Sequence, residues 1–196
     1  MENRIIKYCS PTLAGLKTGS LFCGDFRDHR DFLERFRRWN SIFLRKGLRA
    51  VPFQNKRGCI LVYVYRISRL KADLNAPAAR KILTRLGYSP ECPEKCIARL
   101  RGRVENSPEF PHEIGLFLGY PPLDVLGFIE KRNCKFAGMW KVYGDEISAR
   151  KQFGRFKKCT EIYCRLYENG RSIERLLVAQ TVEKAPNARK PRHGNL

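Results

Sequence analysis

Between Asp28 and Arg66 the hydrophobic pattern changes period, and that change constrains the fold more than anything else in the chain. Over Asp28–Lys46, Phe32, Phe36, Trp39, Phe43 and Leu44 recur at spacings of three and four, which puts them on one face of a helix. Asp28 and Asp31 stand at its start and Arg45 and Lys46 at its end, the order the helix dipole favours, and Gly47 follows as the terminating residue. Leu48–Phe53 and Cys59–Arg66 then read as strands separated by the turn-like QNKRG. The second run, CILVYVYR, is dense in β-branched and aromatic side chains, so it is expected at the centre of a sheet.

Around this core, residues 3–9 are expected to form a short helix ending before Pro11, with Pro11–Gly19 a loop and Ser20–Cys23 a short strand. Helices are expected over Ser68–Leu74, from Pro77 to Gly87, from Pro93 to Arg103, and over His112–Leu118 and Pro122–Lys131. Glu105–Pro111 reads as a loop and Cys134–Tyr143 as one strand. Asp145 is placed to cap a long helix over 146–167, and Ser172 a last one reaching about Val182. The expectation is a single α+β domain over residues 1–182, in which a small, mostly antiparallel sheet of about three or four strands is surrounded by several helices. Residues 183–196, basic and without apolar pattern, read as a disordered tail.

No apolar run approaches the ~18 residues of a membrane helix, so membrane insertion is not expected. The first residues, MENRIIKYCS, lack the features of a signal peptide, which places the protein in the cytoplasm. There the eight cysteines are expected as free thiols. Their spacings fit neither a zinc ribbon nor a finger, so no metal site is assigned.

The formal net charge is +20, from 39 Lys and Arg against 19 Asp and Glu. Such a charge favours polyanionic partners, whether nucleic acid, an anionic membrane surface or a phosphorylated small molecule, and equally describes a solvated basic surface. The basic residues are spread widely, yet none lies between Val104 and Glu130. This gap contains FPHEIGLFLGYPPLDVLGFI, which reads either as buried core or as the lining of a pocket; either way it is a poor surface for nucleic acid.

Within and near the gap stand the candidate functional residues. His112 has the imidazole for a general base or an anion contact, and Glu113 can orient it or serve the backbone at a helix start; both also have plain structural readings. Pro11–Ser20 offers Thr12, Lys17 and Ser20 among glycines, a set that can cradle a phosphate or carboxylate or simply make local turns. Leu16 stands where a P-loop needs glycine, and no GxGxxG is present, so no nucleotide cofactor is assigned and the cofactor is unknown. Alternation along Trp140-Lys141-Val142-Tyr143 sends Trp140 and Val142 one way and Lys141 and Tyr143 the other. Tyr120, in the Gly-Tyr-Pro break, completes the candidate ligand contacts.

The stretch Phe110–Ile129 followed by GMWKVYGD (Gly138–Asp145) resembles a bacterial family of unknown activity, domain of unknown function 3793. Cys9–Phe22, the run Tyr65-Arg66 to Leu70, and the spaced Phe153, Cys159 and Tyr163 resemble it as well. The resemblance implies which positions matter and no mechanism. The reading carried forward is a cytoplasmic protein with a pocket for a small anionic ligand or substrate, built from segments 11–20, 111–124 and 139–145. The alternatives are a sequence-tolerant nucleic-acid binder and a non-catalytic adaptor.

Overall fold

Ile60–Arg66 occupies the middle of a three-stranded antiparallel sheet because it buries both of its faces. The computed structural model describes residues 2–24, 29–54 and 58–179. Its strands β1 (Gly19–Gly24), β2 (Leu48–Gln54) and β3 (Ile60–Arg66) are ordered β1-β3-β2, with Gly19 opposite Tyr65 and Leu48 opposite Arg66. The period-two alternation of β3 then divides the core. Tyr63 and Tyr65, with Phe53 of β2, face one helical layer: α3 (Ile67–Asn75), α4 (Pro77–Arg85), α5 (Pro93–Asn106), α6 (Ile114–Phe117) and α7 (Pro122–Ile129). Val62 and Val64, with Phe22, Leu48 and Ala50, face the other: α1 (Glu2–Leu13), α2 (His29–Leu44) and α9 (Ile173–Leu176). At roughly 1.5–3 kcal/mol per fully buried large apolar side chain, this two-sided burial fixes the register of β3 more firmly than any turn does.

The β2 edge of the sheet is covered by side chains, and β1 is packed closely at its start. On β2, Asn40 of α2 exchanges two hydrogen bonds with the backbone of Ala50, and Arg101 of α5 donates to the carbonyl of Pro52 at 2.8 Å. Gly19 of β1 lies so close to Tyr63 and the Phe117 carbonyl that a Cβ there would stand within 2.7 Å of that carbonyl oxygen.

Several expectations are corrected. Helix α1 does not stop before Pro11 but runs through it to Leu13. The missing amide of Pro11 is outweighed by burial of its last turn and by Arg66, which is only 2% exposed. The Arg66 guanidinium donates to the carbonyls of Thr12 (2.6 Å), Leu13 (2.5 Å) and Val178 (2.9 Å), so it caps the helix from across the sheet as a buried cation at a C-terminus. Cys134–Tyr143 is not one strand: it folds back as a hairpin of β4 (Phe136–Ala137) and β5 (Lys141–Val142), closed by Gly138 N–H to Trp140 O. The last helix is short, α9 ends at Leu176, and the Ser172 side chain does not cap it. Leu44 is exposed rather than part of the buried stripe. Cys23 and Cys59 are joined in a disulfide that ties the end of β1 to the start of β3; the other six cysteines are free. Asp28, the side chain of Asp31 and the tail 183–196 lie outside the described residues.

The hairpin packs on α8 (Glu146–Glu168), which in turn lies along α1. Asp145 caps α8 as expected: its carboxylate accepts from the Ser148 amide (3.0 Å) and hydroxyl (2.7 Å), which holds its pKa below the ordinary value. No described helix is long and apolar enough to cross a membrane.

Candidate functional site

The segment without Lys or Arg does two jobs at once. Leu116, Phe117 and Leu118 face the core beneath the sheet, while Gly115, Tyr120 and Phe128 turn toward a pocket that the hairpin closes from the other side. This pocket has a volume of about 500 Å³. From α6 and α7 it takes Ile114, Val125 and Asp124; from the hairpin, Met139, Trp140 and Lys141; His112 and Phe110 stand at its entrance.

Asp124 holds the two halves together. Its carboxylate, 3% exposed, accepts from the Trp140 indole Nε1 (2.8 Å) and from the backbone amides of Tyr143 (2.7 Å) and Gly144 (2.8 Å). Helix α7 is thereby stapled to the far end of β5. Beside this staple, Tyr143 packs against Gly127, where a Cβ would stand 2.5 Å from its ring. Only glycine at 127 lets the helix and hairpin approach so closely.

A ladder of rings backs the pocket. Lys17 Nζ lies 5.2 Å from the centre of the Tyr120 ring, Tyr120 stacks on Trp140 at 4.5 Å, and Trp140 meets Phe153 of α8 edge-on at 4.4 Å. The ladder continues through Phe136 to the Arg150 guanidinium, 3.6 Å from the Phe136 ring. Burial lowers the Lys17 pKa to about 8, because no described carboxylate pairs with it.

His112 and Lys141 meet at a single ring. The His112 imidazole contacts Phe128 edge-on at 4.7 Å, and Lys141 Nζ stands 5.3 Å from the centre of that ring. Both are exposed, so they present polar atoms at the mouth of an otherwise apolar cavity.

The structure thus gathers His112, Tyr120, Trp140 and Lys141 around one cavity. The other candidates stand elsewhere. Thr12 and Ser20 are buried and hydrogen-bond each other at 2.9 Å between α1 and β1. Lys17 lies behind the Tyr120 wall, and its loop touches the site through Thr18, which packs against Gly119. Tyr143 braces the staple without lining the cavity. Glu113 neither orients His112 nor caps α6: it is 2% exposed, accepts from the Tyr88 hydroxyl at 2.6 Å, and pairs with Arg103 Nε, which stands 2.6 Å away. Asp124, Phe128, Phe110 and Met139 line the cavity and are not among the candidate contacts, although Asp124 and Met139 fall within the expected segments 111–124 and 139–145; nothing local marks Asp124 as the partner of the Trp140 indole. No group of three or more His, Cys, Asp or Glu side chains among the described residues is placed to hold a metal ion.

What this defines is an α+β domain with a ring-walled pocket between a helical break and a short hairpin. The chain belongs to the family described as protein of unknown function (DUF3793), whose model matches residues 5–177. No curated protein and no solved structure matches it.

Proposed function

We propose that the pocket binds a small anionic ligand with its charge at the mouth. The observation that carries this reading is the pairing of Lys141 and His112 on either side of Phe128, above a cavity whose one carboxylate, Asp124, is already hydrogen-bonded to three protein donors. A concave, mostly apolar site with few polar groups is the usual form of a small-molecule site. The reading assigns binding and no turnover. Lys17 supports the pocket from behind, Thr12 and Ser20 pair between α1 and β1, and none of the three touches the ligand. A cytoplasmic setting agrees with six free thiols, and the Cys23–Cys59 disulfide counts against it.

Native mass spectrometry of the full chain, purified without a tag, tests this. A mass excess of a few hundred daltons that disappears in Lys141→Ala is the expected result; a bare mass in both proteins at every ligand screened by thermal shift refutes it. A second reading, sequence-tolerant nucleic-acid binding, is favoured by the net charge of +20 and by exposed Lys151, Lys158 and Arg165, which recur every seven residues along the outer face of α8. It requires an affinity that falls steeply with salt, and it fails if no binding is detected at ~150 mM salt.

A further inference from the structure

We infer that the ligand is an amphiphilic monocarboxylate with a ring-sized apolar body, and not a phosphate ester or nucleotide. The inference rests on the pocket reading above and narrows its ligand. Three features of the cavity select this chemistry.

The first is its charge. Among the described residues Lys141 is the only Lys or Arg lining the cavity, and it stands at the mouth, while the buried Asp124 carboxylate stands at the inner wall. A monoanion can place its single charge beside Lys141 and keep the rest of its body near Asp124 neutral. A phosphate monoester carries close to two charges at neutral pH, and one Lys among the described lining residues matches only one of them. The second is the state of the backbone. Phosphate sites draw on free amides, as in nests and helix N-termini. Here the amides of the inner wall are spent: Ile114 N–H on Pro111 O, Gly115 N–H on His112 O, Val125 N–H on Pro121 O and Gly138 N–H on Trp140 O. The Trp140 indole N–H is spent on Asp124.

The third is the wall itself. Ile114, Val125, Phe128 and the Tyr120–Trp140 stack offer ring faces and branched aliphatic surface, which reward a flat apolar body. About 500 Å³ accommodates a molecule of one or two rings. The Tyr120 hydroxyl makes no hydrogen bond to a described residue, so the walls hold one further polar atom for a neutral substituent on that body.

Isothermal titration calorimetry on the full chain tests the assignment with four probes: 4-phenylbutyrate, its neutral amide, inorganic phosphate and adenosine monophosphate. The expected result is one-to-one binding of 4-phenylbutyrate, with the amide at least tenfold weaker and the two phosphates not competing. Lys141→Met removes the preference for acid over amide, Lys141→Arg retains it, and Lys158→Met on the outer face of α8 changes nothing. The assignment is overturned if acid and amide bind equally, or if either phosphate binds more tightly through Lys141. It is also overturned if none of the four binds while a Lys141-dependent mass excess is seen in native spectra; in that case the pocket reading stands and the ligand class falls. No binding together with a bare mass refutes both.

Discussion

Truncating Asp124 to alanine removes an acceptor shared by three donors, and the cost follows from where those donors lie. The Trp140 indole is buried, so its N–H loses its partner without gaining water, at about 2 kcal/mol. The amides of Tyr143 and Gly144 are partly buried and regain some hydration, at about 1 kcal/mol each. Removing a buried carboxylate recovers its own desolvation cost, about 1 kcal/mol after relaxation. The net is about 3 kcal/mol, which for a domain of this size lowers the melting temperature by roughly 6–12 °C. Asp124→Asn is a sharper probe. Its one oxygen still serves the two backbone amides, but its NH2 group faces the indole N–H, donor against donor, so it costs about 2 kcal/mol. Urea unfolding followed by far-ultraviolet circular dichroism measures both, and tryptophan emission in a Trp39→Phe background reports whether the environment of Trp140 has opened. The reasoning is wrong if Asp124→Ala lies within 0.5 kcal/mol of the wild type, taken as about the limit of such measurements, or if the asparagine variant is the worse of the two.

Four further outcomes are expected. Lys17→Met stabilises the protein at pH 7 by about 2 kcal/mol: lowering the amine from 10.5 to about 8 corresponds to about 3 kcal/mol, reduced by about 1 for the lost contact with Tyr120. Because the unfolded chain binds the extra proton between pH 8 and 10.5, the wild type gains on the variant as pH rises through that window; a constant difference refutes the assignment. Cys9, pushed up to about 12 by burial and drawn down by Lys17, works in the opposite sense above pH 9, so the comparison is read below that pH. Thiol alkylation of the denatured, unreduced chain labels six cysteines, and reduction exposes eight and lowers stability by about 3–4 kcal/mol, the expectation for a closed loop spanning 36 residues. Gly119→Ala destabilises by about 2 kcal/mol in thermal melts, since φ is 77° and the new Cβ would stand 2.6 Å from Thr18 Oγ1. Glu113→Gln costs about 1–2 kcal/mol by unfolding titration through loss of the Arg103 pair, and it leaves ligand affinity unchanged, because Glu113 does not line the cavity.

The sequence alone determined the elements whose signal is local. The repeat of Phe32, Phe36, Trp39 and Phe43, the β-branched run of β3, Asp145 at its cap and Gly47 beyond α2 each state a preference that any fold has to respect. The gap in positive charge covers both a stretch of core and one half of the pocket, whereas the alternation from Trp140 to Tyr143 does not hold, since Trp140 and Lys141 both line the cavity. Tertiary structure decided everything that depends on partners far apart in the chain. Pro11 is helical because Arg66, 55 residues later, supplies the capping donors; Cys134–Tyr143 bends into a hairpin because Asp124 and Phe153 hold its two sides. Glu113 leaves His112 for Tyr88 and Arg103, and Lys17 stands beside the Tyr120 ring. Propensity and periodicity are properties of neighbours, whereas desolvation is relieved by whichever group packing brings within reach, and that is settled only when the layers close.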